Sequence, residues 1–339
     1  MAWNTYYQGT GEAHDTELPP PPPWRTFPRR SAPRTFQPPV GLTDAVNAAL
    51  FLHRPLLITG PAGSGKSSVI EQVADELRLG PVLRWHITSR STLSDALYRY
   101  DALGHIHTLR LSQSKAKGDS GESGENGESE NGESAEVVED DIAQFLQIGP
   151  LGTALLPGYD RPRALLIDEI DKSDLDLPSD LLDVLERGEY EIPELVRHAR
   201  EEVGIRRWRG DGEDLTEGDL DPYVVVNGRV SCDRFPFIVM TSNGEREFPA
   251  PFLRRCIRYD MPDMTPELLR DAVEAHLGQA VTQEAGDLID EFVKRVALGQ
   301  ALAVDQLLNA VKLITDSNAP VEPQRERLLR CLLRDLSGA

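Results

Sequence analysis

The chain has 339 residues, 40% of them apolar, and a formal net charge of −20. That length is enough for two domains with ordinary cores, and no run of about 18 apolar residues is present, which argues against a transmembrane helix. The charge disfavours non-specific binding to nucleic acid or an anionic membrane and leaves room only for a local basic surface.

Residues 1–39 read as an extended arm. The first residues lack a basic and apolar leader, so export is not expected. The three cysteines, Cys232, Cys256 and Cys331, show neither a disulfide framework nor metal-ligand spacing, and a reducing, cytoplasmic setting is the expectation. An unbroken proline run, Pro19 to Pro23, resists helix and sheet and acts as a stiff spacer. The arm is read either as a solvated linker or as a strap in which Trp24, Phe27 and Phe36 bind the domain or a neighbouring subunit. Residues 42–52 read as a helix with Thr43 or Asp44 near its cap.

An apolar strand at 55–59 runs into Gly60-Pro61-Ala62-Gly63-Ser64-Gly65-Lys66-Ser67, and an amphipathic helix follows from Ser68 to Leu77. This octapeptide fits the phosphate-loop pattern G-x-x-x-x-G-K-[ST], with strand and helix flanking it as the motif requires. Gly60, Gly63 and Gly65 let the backbone bend and come close to phosphate. The loop N–H groups form an anion nest, and the helix that begins beside Ser68 adds its positive end. Lys66 is expected on the β- and γ-phosphates and the Ser67 hydroxyl on Mg²⁺. The bland alternative is a glycine-rich turn that matches by chance.

Residues 82–87 read as a second strand and 92–100 as a short helix. From 113 to about 140 the composition changes to Gly, Ser and Glu. Between Asp119 and Asp141 there are ten acidic residues and no Lys or Arg, which is half of the net charge. Such a segment cannot bury enough apolar surface to offset ordering entropy and is read as a disordered insert, with an acidic lure for a basic partner as the alternative.

Order returns at 145–152. Then Leu165-Leu166-Ile167 runs straight into Asp168-Glu169, the pattern of a central parallel strand with a site at its C-terminal end. Asp168 is placed to hold Mg²⁺, directly or through water, and Glu169 to orient and deprotonate an attacking water. A strand ending in a solvated acidic turn is the alternative. Residues 178–188 read as a helix closed by Gly188. From 189 to 233 the pattern breaks into short pieces, among them a hairpin at 223–230 with an Asn-Gly turn. Arg206-Arg207-Trp208-Arg209 is read as a salt-bridged surface or as a substrate or pore loop.

A buried strand at 235–242 ends at Asn243, whose amide is suited to holding a water near a γ-phosphate or merely to capping the turn. Arg254 and Arg255 precede a last strand at 257–259. On the far side of the domain they could serve only a neighbour's site, as fingers; otherwise they are an exposed basic pair. After Pro262 four helical patterns, at 265–277, 284–298, 302–315 and 323–336, read as a small all-α domain.

The set Gly60 to Ser67, Asp168-Glu169, Thr241-Ser242-Asn243 and Leu253-Arg254-Arg255 resembles the AAA+ ATPases, and within them the MoxR branch with the dynein-related AAA domains, over about residues 40–335. The resemblance implies an α/β fold. A P-loop core at 40–261, with a parallel five-stranded sheet in the order 5-1-4-3-2, is followed by a helical lid at 262–339. It makes Asn243 the sensor 1 residue and Arg255, with Arg254 second, the arginine finger. It also implies an ATPase using ATP and Mg²⁺, and a ring of usually six subunits. A chaperone-like action on a protein partner, often one bearing a von Willebrand A domain, comes with it. One departure stands out: residues 302–308 lack the arginine that many relatives place near the γ-phosphate, so nucleotide-dependent lid closure is expected either to be weaker or to use another residue, such as Arg295 or Lys312. A nucleotide-gated scaffold with slow hydrolysis is the second reading. A small-molecule kinase is a third, disfavoured by the arginine pair and the lid.

Overall fold

The computed structural model describes residues 6–7, 9–15, 21–22, 36–118, 142–210, 222–263, 265–300, 302–316 and 319–335. Trp24, Phe27 and the acidic stretch from Asp119 on lie outside them. The chain divides into two compact units: Met1–Arg78, Leu166–Lys172 and Ile238–Ala339 form one, and Leu79–Leu165 and Ser173–Phe237 the other.

The first unit opens with α1 (Leu42–Leu52), which packs Val46 and Ala49 inward against β1 (Leu56–Thr59) and β11 (Ile257–Asp260). Its cap is Gly41 in a left-handed conformation with no side-chain bond. The expected cap at Thr43 or Asp44 is therefore replaced by a backbone solution two to three residues earlier. β1 is followed by the phosphate loop and α2 (Lys66–Leu77), which buries Val69, Ile70 and Ala74. β10 (Phe237–Ser242) is buried along all six residues, and β5 (Ala164–Asp168) along its first four. Strands buried on both faces read as continuous apolar runs, which is why both were legible in the sequence. β1 lies parallel to β10, with Leu56 opposite Val239 and Thr59 opposite Ser242. It also lies parallel to β11, with Leu56 opposite Ile257 and Thr59 opposite Asp260. With β2 (Leu83–His86) the parallel sheet has the order β11-β1-β10-β5-β2. Counting only these five strands in chain order, that is 5-1-4-3-2, as expected.

The helical region of the same unit comprises α9 (Pro266–Leu277), α10 (Gln279–Glu284), α11 (Gly286–Ala297), α12 (Val304–Thr315) and α13 (Gln324–Leu332). Thr265 caps α9, its hydroxyl accepting from the Leu268 N–H at 3.3 Å, and Pro266 takes the first-turn position where a missing N–H costs nothing. Leu269, Val273, Ile289, Phe292, Leu307 and Val311 share one buried cluster. The helix expected from residue 284 starts at Gly286. The residues before it form the separate α10, because Ala285 leaves helical geometry between the two.

The second unit holds β2, α3 (Leu93–Leu97), β3 (Tyr98–Tyr100), α4 (Ala102–Gly118), β4 (Leu146–Ile148), α5 (Pro150–Ala154) and α6 (Leu177–Arg187). The expected helix at 92–100 is corrected here. It ends at Leu97, and Tyr98-Arg99-Tyr100 pair antiparallel with β4, Tyr98 opposite Ile148. Aromatic residues favour a pleated surface once a partner strand is offered. The first residues of the insert expected from 113 are helical, since α4 runs on to Gly118. Gln113 to Lys117 contain no glycine or proline, and Ala and Lys are good helix formers.

In place of the short pieces expected at 189–233 there is a four-stranded antiparallel sheet, β6-β9-β8-β7. Its strands are β6 (Glu189–Glu191), β7 (Glu202–Ile205), β8 (Tyr223–Val226) and β9 (Arg229–Ser231). The hairpin turn is as expected: Asn227 and Gly228 both have positive φ, 52° and 68°, the requirement of a type I′ turn. Arg206 donates to the Gln144 carbonyl at 3.1 Å, and the Arg99 guanidinium lies 5.2 Å from the Trp208 ring centre. This basic cluster is therefore partly spent on local packing and cation–π contact. Among the described residues no helix is long and apolar enough to cross a membrane.

Candidate functional site

Everything expected at the nucleotide falls within the first unit, at the C-terminal ends of β1, β5 and β10. The parallel register brings these ends together: Thr59 stands opposite Ser242, and the Gly60 N–H donates to the Ser242 carbonyl at 3.1 Å. Gly60, Pro61, Ala62, Gly63, Ser64 and Gly65 form the turn between β1 and α2, and Lys66 begins the helix. Ser67 and Ser68 occupy its first turn.

The loop glycines are explained by more than phosphate. Gly63 and Gly65 have φ of 77° and 83°, a region that side chains rarely adopt. A Cβ at Gly65 would lie 2.8 Å from the Phe36 ring, and one at Gly63 would lie 3.1 Å from the Val304 backbone nitrogen. The loop is thus approached by the arm and by the first residue of α12. Phe36 is tied down by a 3.0 Å bond from the Gln72 side chain to its carbonyl, so one of the three strap aromatics does rest on the domain.

Lys66 is only 8% exposed. Its ammonium donates to the carbonyls of Gly60 at 2.6 Å and Pro61 at 2.8 Å, and to Asn243 Oδ1 at 3.0 Å. Three donors with three acceptors use the full capacity of the group. Burial pulls its pKa below the usual lysine value, opposed in turn by Asp171, Asp168 and Glu169.

The Asp168 carboxylate is equally well fixed. Its Oδ1 accepts from the Ser67 hydroxyl at 3.1 Å and from the Thr241 hydroxyl at 2.6 Å. Thr241 in turn accepts the Glu169 N–H at 2.9 Å. That bond helps to hold Glu169 at φ 60°, a left-handed conformation costing a non-glycine residue about 1–3 kcal/mol. Strain of this kind persists where the surroundings over-determine it, and functional sites are where it clusters. The Glu169 carboxylate meets the Lys172 ammonium at 2.8 Å, and this bond raises the Lys172 pKa.

The pairing of the Ser67 hydroxyl with Asp168 fits Mg²⁺, which takes one or two protein oxygens and fills its octahedron with water and phosphate. Among the described residues no group of three or more His, Cys, Asp or Glu could hold a metal by itself. One hydroxyl beside one carboxylate suits a metal that arrives with a phosphate.

Asn243 follows the last residue of β10 and is joined to Lys66 as described. Arg254 and Arg255 lie elsewhere. They follow α8 (Ala250–Leu253) and precede Ile257, the residue opposite the first residue of β1. The phosphate loop leaves from the other end of that strand, four residues away, or about 13 Å at roughly 3.3 Å per residue. Arg254 is exposed and Arg255 half-buried. The neighbouring Cys256 is buried, and burial pushes its thiol up to about 12. A thiol is reactive only as thiolate. Alkylation of the folded protein at pH 8 is therefore expected to mark the exposed Cys331 and spare Cys256, read by peptide mass mapping. Equal labelling of both would contradict the packing of this turn.

The two side chains considered as substitutes for a lid arginine are occupied within the helical region. Arg295 donates to Gln300 Oε1 at 2.7 Å and to the Leu333 carbonyl at 2.5 Å, and Lys312 pairs with Asp316 at 3.1 Å. Sequence reasoning missed Thr241, Asp171 and Lys172. The signal was present for the last two: an acid and a lysine three and four residues after Asp168 lie within one turn of the strand end. Thr241 carries no signal in the sequence beyond its place in Thr241-Ser242-Asn243.

Residues 55–209 match the family model of the AAA domain, dynein-related subfamily. No curated protein matches the chain. The matched stretch carries β1, the phosphate loop and the Asp168-Glu169 strand end; this part of the chain is similar to an AAA domain, a likeness that implies ATP binding, and the parallel sheet has the α/β architecture of a P-loop core. Asn243, Arg254 and Arg255 lie beyond the match.

Proposed function

We propose that this chain is a Mg²⁺-dependent ATPase of the MoxR branch whose site is completed by a neighbouring copy in a ring, usually of six. The ring uses ATP to remodel or activate a protein partner in a chaperone-like manner, in a cytoplasmic setting. The observation that carries this reading is a division of labour. Lys66, Ser67, Asp168, Glu169 and Asn243 converge at one end of the sheet, whereas Arg254 and Arg255 precede the β11 residue registered with the opposite end of β1.

Lys66 contacts the β- and γ-phosphates, exchanging some of its carbonyl bonds for charged oxygens. Ser67 and Asp168 would hold Mg²⁺, which would supply neutralisation of phosphate charge. Glu169 takes a proton from the attacking water, and the Asn243 amide orients that water. Arg255, with Arg254 second, stabilises transition-state charge in the next subunit's site. The kind of partner, including one with a von Willebrand A domain, rests on the resemblance alone.

Turnover per subunit should rise with protein concentration and saturate. Mixing Arg255→Ala chains with Lys66→Ala chains, each inactive alone, should restore activity, because the second supplies the arginine that the first lacks. No restoration at any ratio, with a rate per subunit flat in concentration, would mean that the site is complete in one chain. A second reading, a nucleotide-gated scaffold that hydrolyses slowly, is favoured by one observation. Arg295 and Lys312 are both bonded within the helical region, which leaves lid closure without either of them.

A further inference from the structure

Asp171 is a carboxylate only 4% exposed, in the 3-10 turn at Ile170–Lys172 that follows Glu169. Burying a carboxylate is costly unless its oxygens are bonded. Its Oδ2 accepts two backbone N–H groups from one turn, Asn243 at 2.9 Å and Glu245 at 3.2 Å. Gly244, between them, has φ 78° and donates to the Ser242 hydroxyl at 3.0 Å. Alternate N–H groups pointing inward around a left-handed residue make an anion nest, and here the protein's own carboxylate fills it. Asp171 Oδ1 is buried without a hydrogen-bond partner among the described residues.

The consequence is geometric. One short turn carries Glu169 at its start and Asp171 within it, and Asp171 grips the backbone of Asn243. The base and the water-orienting amide therefore sit on two segments that are bolted together at this carboxylate. The Asn243 side chain also reaches Lys66, so the clamp extends to the phosphate-binding lysine.

We propose that Asp171 is a positioning residue for ATP hydrolysis: it fixes the turn that presents Asn243 and so sets the distance between Asn243 and Glu169. The inference rests on the hydrolytic reading above and deepens it. Asp171 touches neither phosphate nor water in this role; it acts through Asn243.

Because a misplacement of about 1 Å costs roughly a hundredfold in rate, Asp171→Ala is expected to lower kcat about a hundredfold while ATP affinity changes less than about threefold. Asp171→Asn keeps an acceptor oxygen and should recover most of that loss. In an Asn243→Ala background, Asp171→Ala should have little further effect, because what it positions is already gone. Amide hydrogen exchange of the full-length protein supplies a readout independent of turnover: the N–H groups of Asn243 and Glu245 should exchange at least about tenfold faster in the variant, with the rest of β10 unchanged.

Unchanged exchange at those two amides overturns the clamp. Faster exchange with a full additional loss of kcat in the Asn243→Ala background overturns the route through Asn243. If Asp171→Ala does not fold, Asp171→Asn is read in the same cycle and must show a smaller loss that also vanishes in that background. A wild-type protein with no turnover defeats the hydrolytic reading and this inference together, and is told apart by the fault lying in the wild type.

Discussion

Glu169→Gln is expected to retain ATP and to lose turnover by roughly two to four orders of magnitude, the usual contribution of a general base. The substitution keeps the length and planarity of the side chain and removes only its ability to take a proton. The backbone that places it depends on the Thr241 hydroxyl holding the Glu169 N–H, a contact the side-chain change leaves alone. The bond to Lys172 loses its charge, since the amide oxygen can still accept from the ammonium, and the two side chains are 26% and 41% exposed. Pairs of this exposure contribute about 0–1 kcal/mol, too little to unfold the site or to account for a hundredfold rate loss. Phosphate release is measured beside equilibrium binding of labelled ATP. A variant that turns over at the normal rate removes Glu169 as the base. A variant that also fails to bind ATP shows that the carboxylate shapes the phosphate site, and the left-handed strain at this residue would then be the first place to look.

The parts of the site legible in the sequence are those fixed by local chemistry. Gly60 to Ser67 needed a glycine-rich turn between strand and helix, and Asp168 needed only the end of a continuous apolar run. Each announces itself within a dozen residues. The place of Arg254 and Arg255, as distinct from any role, was legible for a different reason: a basic pair just before the last strand has only one end of the sheet to occupy. Thr241 and Asp171 escaped because their roles exist only across strands. Thr241 is one more apolar-strand threonine until β10 is set beside β5, and then its hydroxyl meets both Asp168 and the Glu169 N–H. Asp171 is an ordinary turn acid until the Asn243 turn folds over it.

The fold divides in the same way. β1, β5 and β10 were readable because burial on both faces leaves an unbroken apolar run. β3 was not, because Tyr98 to Tyr100 carry too little local preference to choose. The choice is made by β4, which lies 46 residues further on and pairs with them. The sheet of β6 to β9 was half visible: its Asn-Gly turn is a local signal, but the pairing of β6 with β9 is not.

Lys66→Ala is expected to lower ATP affinity by about a hundredfold to ten-thousandfold, from two charge-assisted hydrogen bonds of roughly 1.5–3 kcal/mol each. The loss should be specific to nucleotide. Burial is the largest influence on this lysine and acts against its charge, more strongly than Asp171, Asp168 and Glu169 act for it. A folded-state pKa below the unfolded one means that the charged lysine is a net electrostatic cost to the folded protein. That cost is fully present below the folded pKa and fades only as pH rises through the folded pKa toward 10.5. At neutral pH the variant therefore relieves that cost, while it leaves three carboxylates without the cation they share. Its melting temperature should lie close to that of the wild type. Saturating ATP should raise the wild-type melting temperature and leave the variant's unmoved, since only a ligand bound to the folded state stabilises it. Equal stabilisation of both by ATP would remove the phosphate loop from the binding site. A variant that melts far lower without nucleotide would instead make Lys66 a structural bolt for the Gly60 and Pro61 carbonyls.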